Sequence, residues 1–369
     1  MTSRKPTILH VIDTTGPGGA ETVFTQLAAA CNHQGYRSIA IIRGSGWVED
    51  QLKKLHIEYH IIECKGSFNF RFLWSLVRLV HAENIQIIQS HLLGSNVYAS
   101  VTGLLTLTRV ISTFHGHVDV SPNERFRAAK FGLVALGSAS VVTVTRELLD
   151  TIRTMGSKRL TKKSIVIANG IDLSKLIKLP IRNISINRGD PISFGMLGNI
   201  RTAKNYFLAV DVIKNLRDKG CNVSLKIAGD DSKTLAVKVK RYVLDAGLNE
   251  FITFLGFIED VPAFFSETDV FLMTSSSEGH PLALTQALAA GVPVLTTPSG
   301  VEEIVVDGIT AFISNGHSAE SLVSKFNFLS GLESSRRSLV QLASKELVKS
   351  KFSLEIMCDA YFELYKIDG

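Results

Sequence analysis

Short runs of consecutive apolar residues recur along the chain, most of them followed by a polar loop and then a stretch with helical spacing. In the first half the apolar runs are Thr7–Asp13, Arg37–Ile42, 57–62, 85–90, 109–114, 140–144 and 164–168. Helical runs lie between them at about 20–33, 68–82, 94–107, 124–138 and 146–155. Strand runs that are apolar throughout, rather than alternating, are those of a sheet covered on both faces. Strands alternating with helices at this spacing predict a doubly wound parallel sheet. A second series begins near Ile192 and predicts strands at 193–197, 222–228, 251–255, 269–273, 293–296 and 310–313. Between the two, periodicity is lost from Leu173 to Gly189, where Pro180, Asn183 and Asn187 stand. The pattern therefore predicts domains at 1–172 and 190–351, joined by a linker at 173–189. The tail 352–369 reads as a helix with Phe352, Ile356, Ala360, Leu364 and Ile367 on one apolar face. That face must dock, either near the seam between the domains or on one domain alone.

The most informative stretch is Thr274 to Gly291, TSSSEGHPLALTQALAAG, which follows the apolar run Val270–Met273. Ser275, Ser276 and Ser277 are helix-capping residues, and Pro281 suits the first helical position. Good helix formers then continue until Gly291 stops them. Strand, polar loop and helix place Glu278 at the carboxyl end of a strand, where open α/β sheets bind ligands. The N–H groups of the helix start face the same place. A carboxylate beside an anion-binding helix end suits a ligand with hydroxyls at one end and phosphate at the other, as in a nucleotide sugar.

Three further strand ends carry similar loops. Thr14-Thr15-Gly16-Pro17-Gly18-Gly19 leads into a helix, and Gly18 and Gly19 let a phosphate approach the backbone. The dinucleotide fingerprint needs a third glycine where Glu21 stands, and the second strand ends at Arg43 with no acid for a ribose, which argues against a nicotinamide cofactor. Gly198-Asn199-Ile200-Arg201-Thr202-Ala203-Lys204 adds two cations to the same design, and Gly300 opens one more helix start. In the first half His91 ends one strand, and His115 and His117 follow the next, all at carboxyl ends. Histidine there bonds sugar hydroxyls or phosphate.

Composition narrows the setting. Residues 1–185 hold 22 Lys and Arg against 12 Asp and Glu, and residues 186–369 hold 18 against 22, so the positive charge lies in the first half. That imbalance points to an anionic partner for the first half. The helical runs 68–81 and 123–138 mix aromatic and basic residues and are candidates for a membrane surface. No recognised nucleic-acid module appears, so nucleic acid is not expected as a partner. The opening residues lack the apolar core of a signal peptide, and Cys31, Cys64, Cys221 and Cys358 show neither metal nor redox spacing, which predicts a cytoplasmic protein with reduced thiols.

Taken in order, Gly18-Gly19-Ala20-Glu21, Asn169-Gly170-Ile171-Asp172, Gly198 to Asn205, Leu255-Gly256-Phe257, Ser277-Glu278-Gly279-His280-Pro281, Ala289-Ala290-Gly291-Val292-Pro293-Val294 and Gly300-Val301-Glu302-Glu303 resemble the motifs of retaining glycosyltransferases of family 4. The resemblance covers nearly the whole chain. It implies the GT-B fold, two Rossmann-like domains facing a cleft, and transfer of a sugar from a nucleotide-sugar donor, UDP- or GDP-linked, to a hydroxyl acceptor with retention. It assigns Lys204 and Arg201 to the donor diphosphate, Glu278 to the donor sugar, and His115 to the sugar from the other wall. Gly18, Gly19, Gly198, Asn199, Phe257, Gly279, His280, Pro281, Leu282, Gln286 and Gly300 would bind the donor, and His91 and His117 the acceptor. The family pairs Glu278 with a second glutamate eight positions on, which holds the ribose; this chain has Gln286. The family often has Arg where Asn199 stands, and Arg201 follows two residues later. No Asp-x-Asp triplet occurs, so no catalytic metal and no cofactor is expected. A lipid-linked glycan acceptor in bacterial surface polysaccharide assembly fits the basic first half, with peripheral contact at the inner membrane face. Two alternatives share the fold, a nucleotide-sugar 2-epimerase and a non-catalytic nucleotide-sugar-binding homologue.

Overall fold

The computed structural model describes residues 5–64, 68–154, 158–182 and 189–366. The chain forms two compact units, Met1–Asn169 with Glu355–Gly369, and Gly170–Leu354. In chain order the first unit contains β1 (Thr7–Ile12), α1 (Gly19–His33), β2 (Arg37–Ile42), α2 (Trp47–Lys54), β3 (Glu58–Ile61), α3 (Phe70–Ala82) and β4 (Ile87–His91). It continues with α4 (Leu93–Thr106), β5 (Arg109–Phe114), α5 (Arg127–Gly137), β6 (Ser140–Thr143), α6 (Arg146–Thr154), α7 (Lys158–Lys163) and β7 (Ser164–Val166). The second unit contains β8 (Ile192–Leu197), α8 (Tyr206–Asp218), β9 (Val223–Ala228), α9 (Thr234–Asp245), β10 (Ile252–Gly256), α10 (Val261–Ser266), β11 (Val270–Met273) and α11 (Leu282–Ala290). Then come β12 (Val294–Thr296), β13 (Phe312–Ile313), α12 (Ala319–Gly331) and α13 (Ser334–Lys351), and the final helix α14 (Leu354–Tyr365) belongs, from Glu355 on, to the first unit.

Both sheets are parallel, in the orders β3-β2-β1-β4-β5-β6-β7 and β10-β9-β8-β11-β12-β13. Each reverses direction between its first strand and its fourth, so the crevices at the carboxyl ends of β1 and β4, and of β8 and β11, are the switch points of a Rossmann-like fold. Every strand run named from the sequence is a strand here, with ends shifted by at most two residues.

In the first unit, alternation along β1 sends Leu9 and Val11 to a core with Ile39, Ile88, Leu76 and Tyr98. It sends Ile12 to the other face, against Phe24, Ala28, Ile42 and Leu52. Each fully buried Val, Leu, Ile or Phe among them contributes about 1.5–3 kcal/mol. The second unit packs Phe194, Leu225 and Val270 with Val212, Val239 and Phe326 in a single cluster.

Two local expectations change. The apolar face expected for the last helix is rotated: Met357, Cys358, Tyr361 and Tyr365 are buried, whereas Ile356 is 42% exposed. The reason is chemical, because the phenols of Tyr361 and Tyr365 find partners inside the first unit, Thr113 at 3.1 Å and Gln89 at 3.0 Å. Phe352 lies before the helix, and Ile367 is outside the described residues. Likewise, α11 begins at Leu282 with Pro281 as its cap residue, and none of the three serines caps it by a side-chain bond. Of the segment expected to link the halves, Leu176–Lys178 forms a 3-10 turn whose carbonyl at Ile177 accepts from Lys345 Nζ at 3.0 Å. Residues 183–188 of that segment lie outside those described.

Candidate active site

The second unit's switch point is built from two loops tied together by backbone. After β8 the chain passes Gly198, whose φ of +147° favours glycine, and crosses Gly229, at φ +151°. A Cβ on Gly229 would stand 2.0 Å from the Gly198 carbonyl oxygen, so the two loops approach as closely as bare backbone permits. Tyr206 donates its hydroxyl to that same carbonyl. The Asn199 side chain accepts the Asp230 N–H at 3.0 Å, so the residue where the family often has Arg here fixes one loop to the next. Beyond it, Ser276 N–H donates to Ala203 O at 2.8 Å, and the Thr274 hydroxyl bonds the carbonyls of Lys204 and Asn205, each at 3.0 Å. These bonds carry Lys204 to the loop after β11.

The result is an ion pair at the expected place. Lys204 Nζ stands 2.6 Å from Glu278 Oε1, and the buried Ser275 hydroxyl donates to the same oxygen at 2.5 Å. The two side chains are 22% and 11% exposed, sheltered yet open to solvent on one side. Glu278 N–H donates to Ser299 O at 2.8 Å, which fastens this loop to the one before Gly300. Gly300 adopts the left-handed conformation, φ +88°, at the start of a short 3-10 turn. The Ser299 hydroxyl beside it is buried without a hydrogen-bond partner among the described residues. Ser275 was read from the sequence only as a helix cap, and Ser299, which adjoins Gly300, was not singled out.

Other donor-side residues fall around this pair. Arg201 is exposed at the start of the 3-10 turn Thr202–Lys204, and Phe257, 47% exposed, follows β10. Gly279, Pro281 and Leu282 lead into α11, whose first amides have no carbonyl of their own helix to meet. Gln286 is half-buried one turn further. His280 turns inward: its Nε2 meets Thr285 Oγ1 at 3.0 Å and its ring stands edge-on to Phe352 at 5.0 Å. Burial pushes its pKa down to about 4. Its side chain is therefore a neutral buttress for the loop.

The first unit's switch point is different. Gly18 caps α1 in extended conformation, and a Cβ there would stand 2.2 Å from Glu21 Oε2. The helix start is thus already lined by the chain's own carboxylate, which favours that end of the dipole. At the end of β4, His91 is fully buried, so it reaches no acceptor directly; its Nδ1 lies 2.8 Å from His115 Nε2, with the rings stacked at 5.1 Å. Asp119 holds this corner by accepting from His115 N–H at 2.7 Å and Leu93 N–H at 3.1 Å. Burial raises its pKa to about 6. His117 points elsewhere, 3.4 Å from Glu147 and partly exposed. Behind His91 stand Gln89 and Thr113, which sequence reasoning missed although a glutamine inside an apolar strand is the signal of a buried polar contact.

The chain that carries these features is similar to known proteins. The family model described as Glycosyltransferase Family 4 matches residues 17–175, and that for Glycosyl transferases group 1 matches residues 178–346. The chain is 22% identical over 294 residues to the capsular polysaccharide biosynthesis glycosyltransferase CapH of Staphylococcus aureus, spanning 76% of this chain and 78% of that one. It is 24% identical over 246 residues to the UDP-Gal:alpha-D-GlcNAc-diphosphoundecaprenol alpha-1,3-galactosyltransferase of Escherichia coli, 62% of each. Its fold matches HepE of Anabaena, solved with UDP and glucose, with a TM-score of 0.84 at 17% identity over 97% of this chain and 99% of that one. The chain belongs to the group 1 glycosyltransferases, family 4 type, and is an enzyme of the GT-B fold.

Proposed function

We propose that this enzyme moves a sugar, with retention, from a UDP- or GDP-linked donor to a hydroxyl of a lipid-linked glycan in bacterial surface polysaccharide assembly. The observation that carries the reading is the Lys204–Glu278 pair at the second switch point, framed by Gly198 and Gly300. A diphosphate placed there draws Lys204 Nζ away from the carboxylate, and Arg201 adds a second cation. Charge on the leaving diphosphate is stabilised by these cations and by the amides at the starts of α11 and the Gly300 turn. Glu278, still held by Ser275, is left to accept hydroxyls of the donor sugar. The acceptor hydroxyl attacks from the face that the diphosphate leaves and gives its proton to a phosphate oxygen. The relatives named for UDP-sugars and for capsule synthesis support the donor and the setting.

Contact with an anionic membrane rests on α3. Phe70 and Trp74, 76% and 56% exposed, share an outward stripe with Arg71 and Arg78, while Phe72, Leu76 and Val80 pack inward. Such a basic and aromatic stripe suits a lipid surface. No helix among the described residues is long and apolar enough to cross a membrane. Two assays test the proposal. Incubation with UDP- and GDP-sugars and a polyprenyl-diphosphate-linked sugar should yield a product of unchanged anomeric configuration by NMR, whereas conversion of the donor alone would make it an epimerase, and tight donor binding without turnover a non-catalytic homologue. Flotation with anionic vesicles at low salt should carry the enzyme; failure to float would remove the membrane part only.

A further inference from the structure

The first unit holds a buried polar chain whose hydrogen-bond directions follow from the orientation of the Gln89 amide. Parallel register sets His10 opposite Gln89 and His91 opposite Thr113, so these polar side chains share one face of the sheet, where α1 and α14 bring Phe24 and the two tyrosines. Tyr365 donates its O–H to Gln89 Oε1 at 3.0 Å. Burial raises that phenol's pKa, so it stays protonated and able to donate. The Gln89 amide nitrogen then lies 3.0 Å from Thr113 Oγ1 and 3.3 Å from His91 Nε2. An amide NH2 only donates, so His91 Nε2 must offer a lone pair. A neutral imidazole has one proton, so that of His91 is on Nδ1 and is given to His115 Nε2 at 2.8 Å. His115 in turn carries its proton on Nδ1. That atom is buried and has no hydrogen-bond partner among the described residues.

We propose that Tyr365 and Gln89 are positioning residues that act through His91 to hold His115 as a neutral imidazole with its proton on Nδ1, a hydrogen-bond donor at the first unit's switch point and not a proton acceptor. Burial keeps both rings uncharged, with His115 brought down to about 3 and His91 lowered by burial and by its neighbour. The final helix, far along the sequence from the strand ends, thereby fixes the chemistry of a strand-end residue. The inference rests on the reading of His115 as a ligand-facing group, but its central claim, the tautomer, is measured without turnover.

The test is 15N NMR of the full-length enzyme labelled at histidine, with the His115 signal assigned by its loss in His115→Asn. Wild type should show a neutral ring protonated at Nδ1. Tyr365→Phe frees the amide and should give a mixture of tautomers; Gln89→Glu, whose carboxylate accepts from His91 Nε2–H, should invert the chain and leave His115 Nδ1 bare. In the transfer assay kcat/KM should fall about fivefold for Tyr365→Phe, the worth of one neutral hydrogen bond, with the Kd for UDP unchanged. His115→Asn, which keeps an N–H, should retain more activity than His115→Ala. A wild-type ring with bare Nδ1, or a tautomer untouched by Tyr365→Phe, overturns the proposal. Absence of transfer activity in wild type would count against the proposed function and leave the tautomer result standing.

Discussion

The two α/β units share strand order and switch point, yet the polar groups gathered there obey different physics. In the second unit Lys204 and Glu278 form an ion pair that is partly open to solvent. In the first, His91, Gln89 and Thr113 are wholly enclosed, and burial keeps the His91 ring neutral. A charged pair open on one side can exchange partners when an anionic ligand arrives, because water has already met part of its desolvation cost. A sealed chain of neutral groups cannot, and so it specifies direction and geometry instead. The fold is the same in both; what differs is whether a site is kept for charge or for orientation.

The contrast is broken most sharply at Lys204. Lys204→Met removes the cation proposed for the diphosphate, and turnover should fall about 100- to 1,000-fold, the usual cost of losing a preorganised group that stabilises developing charge. His115→Ala, the matching change in the first unit, should cost about tenfold, in line with one neutral hydrogen bond. Steady-state kinetics on a single donor compares them; equal losses would mean that the two sites do not divide the work in this way.

A second change tests the scaffold rather than the chemistry. Gly229→Ala places a Cβ at 2.0 Å from the Gly198 carbonyl at a φ of +151°. Strain and overpacking together should cost about 3 kcal/mol, read as a lowered thermal midpoint. In the first unit no such close approach governs the polar chain, and His10 shows the opposite sign. It is fully buried, and neither ring nitrogen has a hydrogen-bond partner among the described residues. His10→Leu should stabilise the protein by about 1–2 kcal/mol. The gain should grow on acidification. Burial lowers the folded pKa from 6.5 to about 3, so between those values the unfolded chain binds the proton and the fold does not. Wild-type stability is therefore lost as pH falls from 6.5 towards 3, and His10→Leu should flatten that slope. A midpoint that drops equally with pH in both proteins would show that His10 does not titrate on unfolding.

How much of this was legible follows the same divide. Strands and their order of appearance were plain, since apolar runs such as Ile39–Ile42 and Val270–Met273 report burial on both faces. Glu278, Lys204 and Gly198 were legible because loops at strand ends advertise charge and glycine in short range. The first unit's chain was not, because it needs Gln89, Thr113 and Tyr365, far apart in sequence and brought together only by register and by the docking of α14. Tyr361 and Tyr365 also misled the reading of that helix, since the buried stripe is carried by phenols and sulfur rather than by aliphatic residues. His280 shows a third case: its place in the loop was readable, but the inward turn of its ring against Phe352 was not.

The smallest effect concerns Gln286, and it refines the picture of the second unit as the charged one. The family's second glutamate is replaced here by a neutral amide, half-buried on α11. Its carbonyl accepts a hydroxyl, but a carboxylate accepts the same bond roughly twice as strongly. Gln286→Glu should therefore tighten UDP-sugar binding by about 1 kcal/mol, about fivefold in Kd. Isothermal titration with the natural ribose and with a dideoxy nucleotide isolates the cause. The gain should appear with the first and vanish with the second, because only the ribose hydroxyls can donate to the new carboxylate. A gain that persists without those hydroxyls would mean that the added charge acts at long range, and an affinity that falls would place Gln286 against the phosphates, where a second negative charge repels.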